Sequence, residues 1–105
     1  MKPENTIQEM QIIEQNMQNI FFQKQAFQME LSETDSALNE VQKAGDEVFK
    51  IVGQLMIKAD KSRIEEELEN KKKLLDLRLK SLNKQEKVFS EKIEELQKEV
   101  MNKKK

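Results

Sequence analysis

Apolar residues recur along this chain in two rhythms, one helical and one extended. From Met10 the spacing alternates between three and four through Ile13, Met17, Ile20, Lys24, Phe27, Leu31, Thr34, Leu38 and Val41. Eight of these ten positions are apolar, which is the seam of a heptad and not the two-residue alternation of a strand. Asn5 with Gln8 three residues later forms a weak capping box at the start, and Gly45 stands where a helix C-terminus is expected. The pattern predicts a first helix over about residues 5–44, roughly 60 Å long at 1.5 Å per residue. A second stripe reads Ile64, Leu68, Lys71, Leu75, Leu79, Leu82, Glu86, Phe89, Ile93, Leu96 and Val100, with nine of eleven apolar. Ser62 to Glu65 is a stronger capping box and Asp60 a competing cap, so the second helix is placed at 61–103. Its step from Leu75 to Leu79 reads as a stutter.

Folding one helix back on the other pairs Val41 with Ile64, Leu38 with Leu68, Leu31 with Leu75, Phe27 with Leu79, Met17 with Phe89, Ile13 with Ile93 and Met10 with Leu96. Two unrelated stripes rarely stay in step over that length, and an antiparallel coiled coil follows. In this register Thr34 faces Lys71, and Lys24 and Glu86 occupy neighbouring layers where they can pair across the seam.

Between the helices, over residues 46–60, the rhythm changes. Seven of the ten residues from Val48 to Ile57 are apolar, several are β-branched, and Gly53-Gln54 suits a type II′ turn with glycine first. Alternation puts Phe49, Ile51, Leu55 and Ile57 on one side, with Val48, Val52 and Met56 also apolar. A lone two-stranded hairpin is marginal in water. One that is apolar on both faces needs other subunits to cover it, so assembly through Val48, Phe49, Ile51, Val52, Leu55, Met56 and Ile57 is expected. The fold class is mainly α: a long antiparallel two-helix coiled coil, one β-hairpin, and a single domain over residues 1–105.

Composition supports this. With 36% hydrophobic and 37% charged residues among 105, the chain is too poor in apolar groups for a thick globular core, and the narrow stripe of a coiled coil resolves the conflict. A net charge of −1 offers no general attraction for nucleic acid, and the basic Lys103-Lys104-Lys105 reads as a solvated end. No apolar run is long enough to span a bilayer, and the N-terminus lacks the layout of a signal peptide. These features, with no cysteine, lead to the expectation of a cytoplasmic protein.

Catalysis is not expected. The chain has no His and no Cys, and its glycines lie only at 45 and 53, so the usual general base, the strongest nucleophile and a phosphate-cradling loop are all missing. Glu65-Glu66-Glu67 splay around a helix and read as a charged surface. No cofactor and no metal are expected.

Two stretches resemble a known family. Val48-Phe49-Lys50-Ile51-Val52-Gly53-Gln54-Leu55-Met56 is similar to the hairpin strand of prefoldin beta subunits of the archaeal type, with Phe49 where tyrosine is common. Leu75 to Glu86 resembles the Leu-Arg-x-Lys-Thr-Leu-x-Lys-Gln-Glu run of that family's second helix, with Ser81 in place of threonine. A single hairpin points to the beta type, since alpha-type subunits have two. The resemblance implies a hexamer of two alpha and four beta subunits whose hairpins join into an intersubunit β-barrel. It also implies an ATP-independent chaperone that captures unfolded polypeptides at the distal coiled-coil tips and transfers them to a group II chaperonin. The tip residues able to do this are Ile7, Met10, Ile12, Ile13 and Met17 with Ile93, Leu96, Val100 and Met101, because adaptable methionines and apolar groups suit promiscuous binding. Apolar residues off the seam (Ile12, Phe21, Phe22, Met29, Leu74, Leu77, Val88 and Met101) are expected at outer positions. Two other readings share the heptads. A structural or adaptor coiled coil has no use for a two-faced apolar hairpin. A DNA-binding zipper needs a basic arm, and the first helix carries only Lys24 and Lys43 beyond Lys2.

Overall fold

A computed structural model describes residues 3–103, with side chains from residue 5 to residue 102. The order is helix α1 (Pro3–Lys43), strands β1 (Val48–Val52) and β2 (Leu55–Ala59), and helix α2 (Lys61–Lys103). The chain forms two compact units, one from residues 1–26 and 79–105 and the other from residues 27–78. The Lys103-Lys104-Lys105 side chains lie outside the described residues.

In the first unit the helices run antiparallel around Ile13, Ile20, Leu82 and Leu96, all buried. Lys24 Nζ lies 3.4 Å from both carboxylate oxygens of Glu86, so the ion pair expected across the seam is formed. Thr6, only 1% exposed, extends the seam four residues before Met10, where hydropathy gave no hint of it. Among the described residues no buried side-chain nitrogen or oxygen lacks a hydrogen-bond partner.

In the second unit Leu75 and Thr34 are buried, and the expected pairing of Thr34 with Lys71 does not occur. The Thr34 hydroxyl donates to the Glu30 carbonyl of its own helix at 2.7 Å, which satisfies it within the seam. Lys71 is exposed and its neighbour Lys72 is half-buried, pairing with Asp35 at 3.0 Å. With Lys72 on the inner side, the half-buried and buried positions of α2 run 61, 64, 65, 68, 72, 75, 79, 82, 86, 89, 93, 96 and 100. From 65 onward these alternate three and four without a break, so the stutter between Leu75 and Leu79 disappears. The Arg78 guanidinium lies 5.6 Å from the centre of the Phe27 ring, a cation–π contact that covers the ring's open side.

The helix ends also differ from expectation. α1 begins at Pro3, whose fixed φ and missing N–H suit a first turn, and Asn5 lies inside the helix instead of capping it. Asp60 caps α2, accepting from the Ser62 N–H at 3.3 Å, so Ser62 belongs to the first turn. α1 stops at Lys43, and the only positive φ among the described residues is that of Gly53, so Gly45 does not close the helix in a left-handed conformation. Instead Lys61 Nζ donates to the Ala44 carbonyl at 2.8 Å and the Gln42 carbonyl at 3.5 Å. The first residue of α2 thus satisfies and neutralises the C-terminal end of α1.

The hairpin turns at Gly53-Gln54. Gly53 has φ +62° and Gln54 is not positive, which matches type II′ and excludes type I′. The pairing is Val48 with Ala59, Phe49 with Lys58, Lys50 with Ile57, Ile51 with Met56 and Val52 with Leu55.

Candidate functional site

Cross-strand partners share a face, so the pairing fixes both surfaces of the hairpin. One face carries Val48, Lys50, Val52, Leu55, Ile57 and Ala59, and the other Phe49, Ile51, Met56 and Lys58. This corrects the simple alternation: a two-residue turn joins odd to even positions, so Leu55 and Ile57 lie opposite in face to Phe49 and Ile51. Each face is an apolar surface interrupted by one lysine. Of the seven assembly candidates, Phe49, Ile51, Val52, Leu55, Met56 and Ile57 are exposed and Val48 is half-buried. Beside β1 opens an apolar groove of about 370 Å³ against Ala37, Val41, Ile64 and Leu68. The ion pair of Lys50 with Glu67, 3.6 Å apart, borders it.

In the first unit a second groove, of about 440 Å³, opens between the Pro3 end of α1 and the Lys103 end of α2. Its walls are Ile7, Met10, Gln11 and Glu14 from one helix and Gln97, Val100 and Met101 from the other. Ile7 and Met101 are exposed there, and Met10 and Val100 are half-buried. Four of the nine expected capture residues are therefore brought together. Ile13 and Leu96 are buried in the seam, and Ile12, 59% exposed, lies outside the groove. Met17 and Ile93 are half-buried along the seam. Gln11, Glu14 and Gln97 also line the groove but carry no apolar signal in the sequence. Their signal is spacing: Gln11 and Glu14 follow Ile7 by four and seven residues, on the same helical stripe.

Proteins of known relationship share this architecture. The family model described as "Prefoldin subunit" matches residues 4–105. The prefoldin subunit beta of Thermococcus onnurineus is 42% identical over 85 residues, covering 79% of this chain and 73% of that protein. The chain belongs to the prefoldin beta subunit family. The prefoldin subunit beta of Archaeoglobus fulgidus is 33% identical over 101 residues, 94% of this chain and 87% of that protein. The crystal structure of the prefoldin beta subunit from Thermococcus strain KS-1 superimposes with a TM-score of 0.87 at 33% identity, covering 95% of this chain and 90% of that one.

The remaining off-seam apolar residues, Phe21, Phe22, Met29, Leu74, Leu77 and Val88, are exposed as expected. Phe21 and Phe22 pack edge-to-face, 5.9 Å between ring centres. Among the described residues no helix is long and apolar enough to cross a membrane, and no group of three or more His, Cys, Asp or Glu side chains is placed to hold a metal ion.

Proposed function

We propose that this chain is a subunit of an ATP-independent holding chaperone. It assembles through its hairpin with alpha-type and further beta-type prefoldin subunits, the joined hairpins forming a β-barrel in a hexamer of two alpha and four beta chains. It captures unfolded polypeptides in the groove between Met10 and Met101, and a group II chaperonin receives them in the cytoplasm. No step requires nucleotide, and the chain acts by binding alone. The observation that carries this reading is the groove itself: an open apolar channel walled by two methionines, an isoleucine and a valine. Methionine side chains adapt to differently shaped apolar partners, which is what capture of unrelated unfolded chains demands. Several grooves held in one assembly gain avidity for a long client.

The test is suppression of aggregation of a chemically denatured client, without nucleotide, by the chain with and without an alpha partner. Suppression is expected. Met101→Ser should weaken client affinity about fivefold, because an open groove recovers only part of the roughly 1.5–3 kcal/mol available from burying a methionine. Ile12→Ser removes another exposed apolar group, outside the groove, and should leave capture unchanged. If both substitutions act alike, capture does not occur in the groove. If neither protein suppresses aggregation, the chain is a structural coiled coil.

A further inference from the structure

The groove is apolar but not neutral. Glu14 is the one charged residue among those lining it; the opposite wall contributes Gln97, Val100 and Met101. The surrounding surface of α1 has the same sign. From Asn5 to Gln23 the helix carries Glu9 and Glu14 and no lysine or arginine, its other polar positions being mainly Gln and Asn. The remainder of the chain is densely and evenly charged, with 19 basic and 20 acidic residues in all, so this one-sided stretch is a local departure. Four lysines elsewhere have a carboxylate partner: Lys24 with Glu86, Lys50 with Glu67, Lys72 with Asp35, Lys92 with Glu95. Among the described residues neither Glu9 nor Glu14 has an ion-pair partner.

An unpaired carboxylate at the edge of an apolar channel attracts a cation carried by the bound segment and repels an anion. We infer that the groove selects apolar client segments flanked by lysine or arginine over those flanked by aspartate or glutamate, and that Glu14 sets this preference. The inference rests on the groove being the capture site. The aliphatic stem of a flanking lysine or arginine can lie along the methionine-lined wall while its charged head reaches Glu14 in water. Glutamine side chains on both walls can bond the backbone of any client, so the selection concerns flanking charge and not sequence.

The experiment uses the full chain and three fluorescent peptides with a common leucine- and phenylalanine-rich core, flanked by lysine, glutamine or glutamate. Affinity should fall in that order, with about a twofold to fivefold advantage per step, the scale of an exposed ion pair. The advantage should shrink as salt is raised. Glu14→Gln should erase the advantage of the lysine-flanked peptide over the glutamine-flanked one; Glu14→Lys should reverse the order. Because Glu14 is exposed, both variants should keep the helix signal of the parent. Equal affinities for the three peptides, a preference for glutamate flanks, or an order that survives Glu14→Gln each overturn the inference. Met101→Ser separates this from the parent reading. If it weakens all three peptides while flanking charge has no effect, the groove captures clients without charge selection. If it weakens none, the groove is not the capture site and both readings fall.

Discussion

Gly53 and Gly45 are the chain's two glycines, and the backbone treats them differently. Gly53, at φ +62°, occupies a conformation that costs an L-residue with a side chain roughly 1–2 kcal/mol. Gly45 has open space around its Cα hydrogens and no positive φ, so a methyl group there mainly restrains the unfolded chain. Gly53→Ala should therefore destabilise the protein by about 1 kcal/mol, while Gly45→Ala should be neutral or stabilise it by a few tenths, read from urea midpoints. Ion pairs make a second contrast. Lys24 and Glu86 have side chains only 21% and 37% exposed, and a double-mutant cycle should give coupling in the upper part of the roughly 0.2–1 kcal/mol range of surface pairs. Lys72 donates to Asp35 and sits beside its charge, which together raise the lysine pKa. A raised lysine pKa adds stability that is complete below the unfolded value, about 10.4, and is lost as pH rises through the folded value. Asp35→Asn should remove that alkaline component, flattening the loss of stability above about pH 10.4 relative to the parent.

At the scale of elements, each helix could be read from the sequence wherever its seam was apolar. Ile13, Ile20, Leu82 and Leu96 were placed correctly because a three-four spacing of large apolar groups has one helical solution. At Thr6 and Lys72 the seam passes through polar side chains, which carry no hydropathy signal. Between Leu68 and Leu75 a step of three or of four was equally consistent with the letters, and only the Asp35 partner on the facing helix decides for Lys72. Caps were ambiguous for a related reason, since Asp60 and Ser62 can both accept an N–H and the chain path selects one. The groove was half legible. Its apolar members were found, but Glu14 and Gln97 depend on which side of each helix faces the other. Lys61 was missed although the coiled-coil register places it opposite Ala44. Lys61→Ala should cost about 0.5–1 kcal/mol by leaving the last carbonyls of α1 without a cation, and it should speed amide exchange in that helix's final turn.

For the whole molecule, the surfaces proposed for assembly and for capture are different, and each should be removable alone. Charging the hairpin with Val52→Glu and Ile57→Lys should release monomers that keep most of their helix signal; a particle size unchanged by light scattering would refute assembly through this surface. A more general consequence follows from the hairpin's two apolar faces. Ile51, 72% exposed, and its neighbours line short strands with open edges, the kind of surface that pairs with whatever strand it meets. A chain left without a partner on this surface therefore presents an aggregation-prone edge, as a damaged protein does. If the hairpin is the assembly surface proposed above, balanced supply follows as a physical demand of this fold: the ratio in which the subunits are made sets how many newly made copies find a partner.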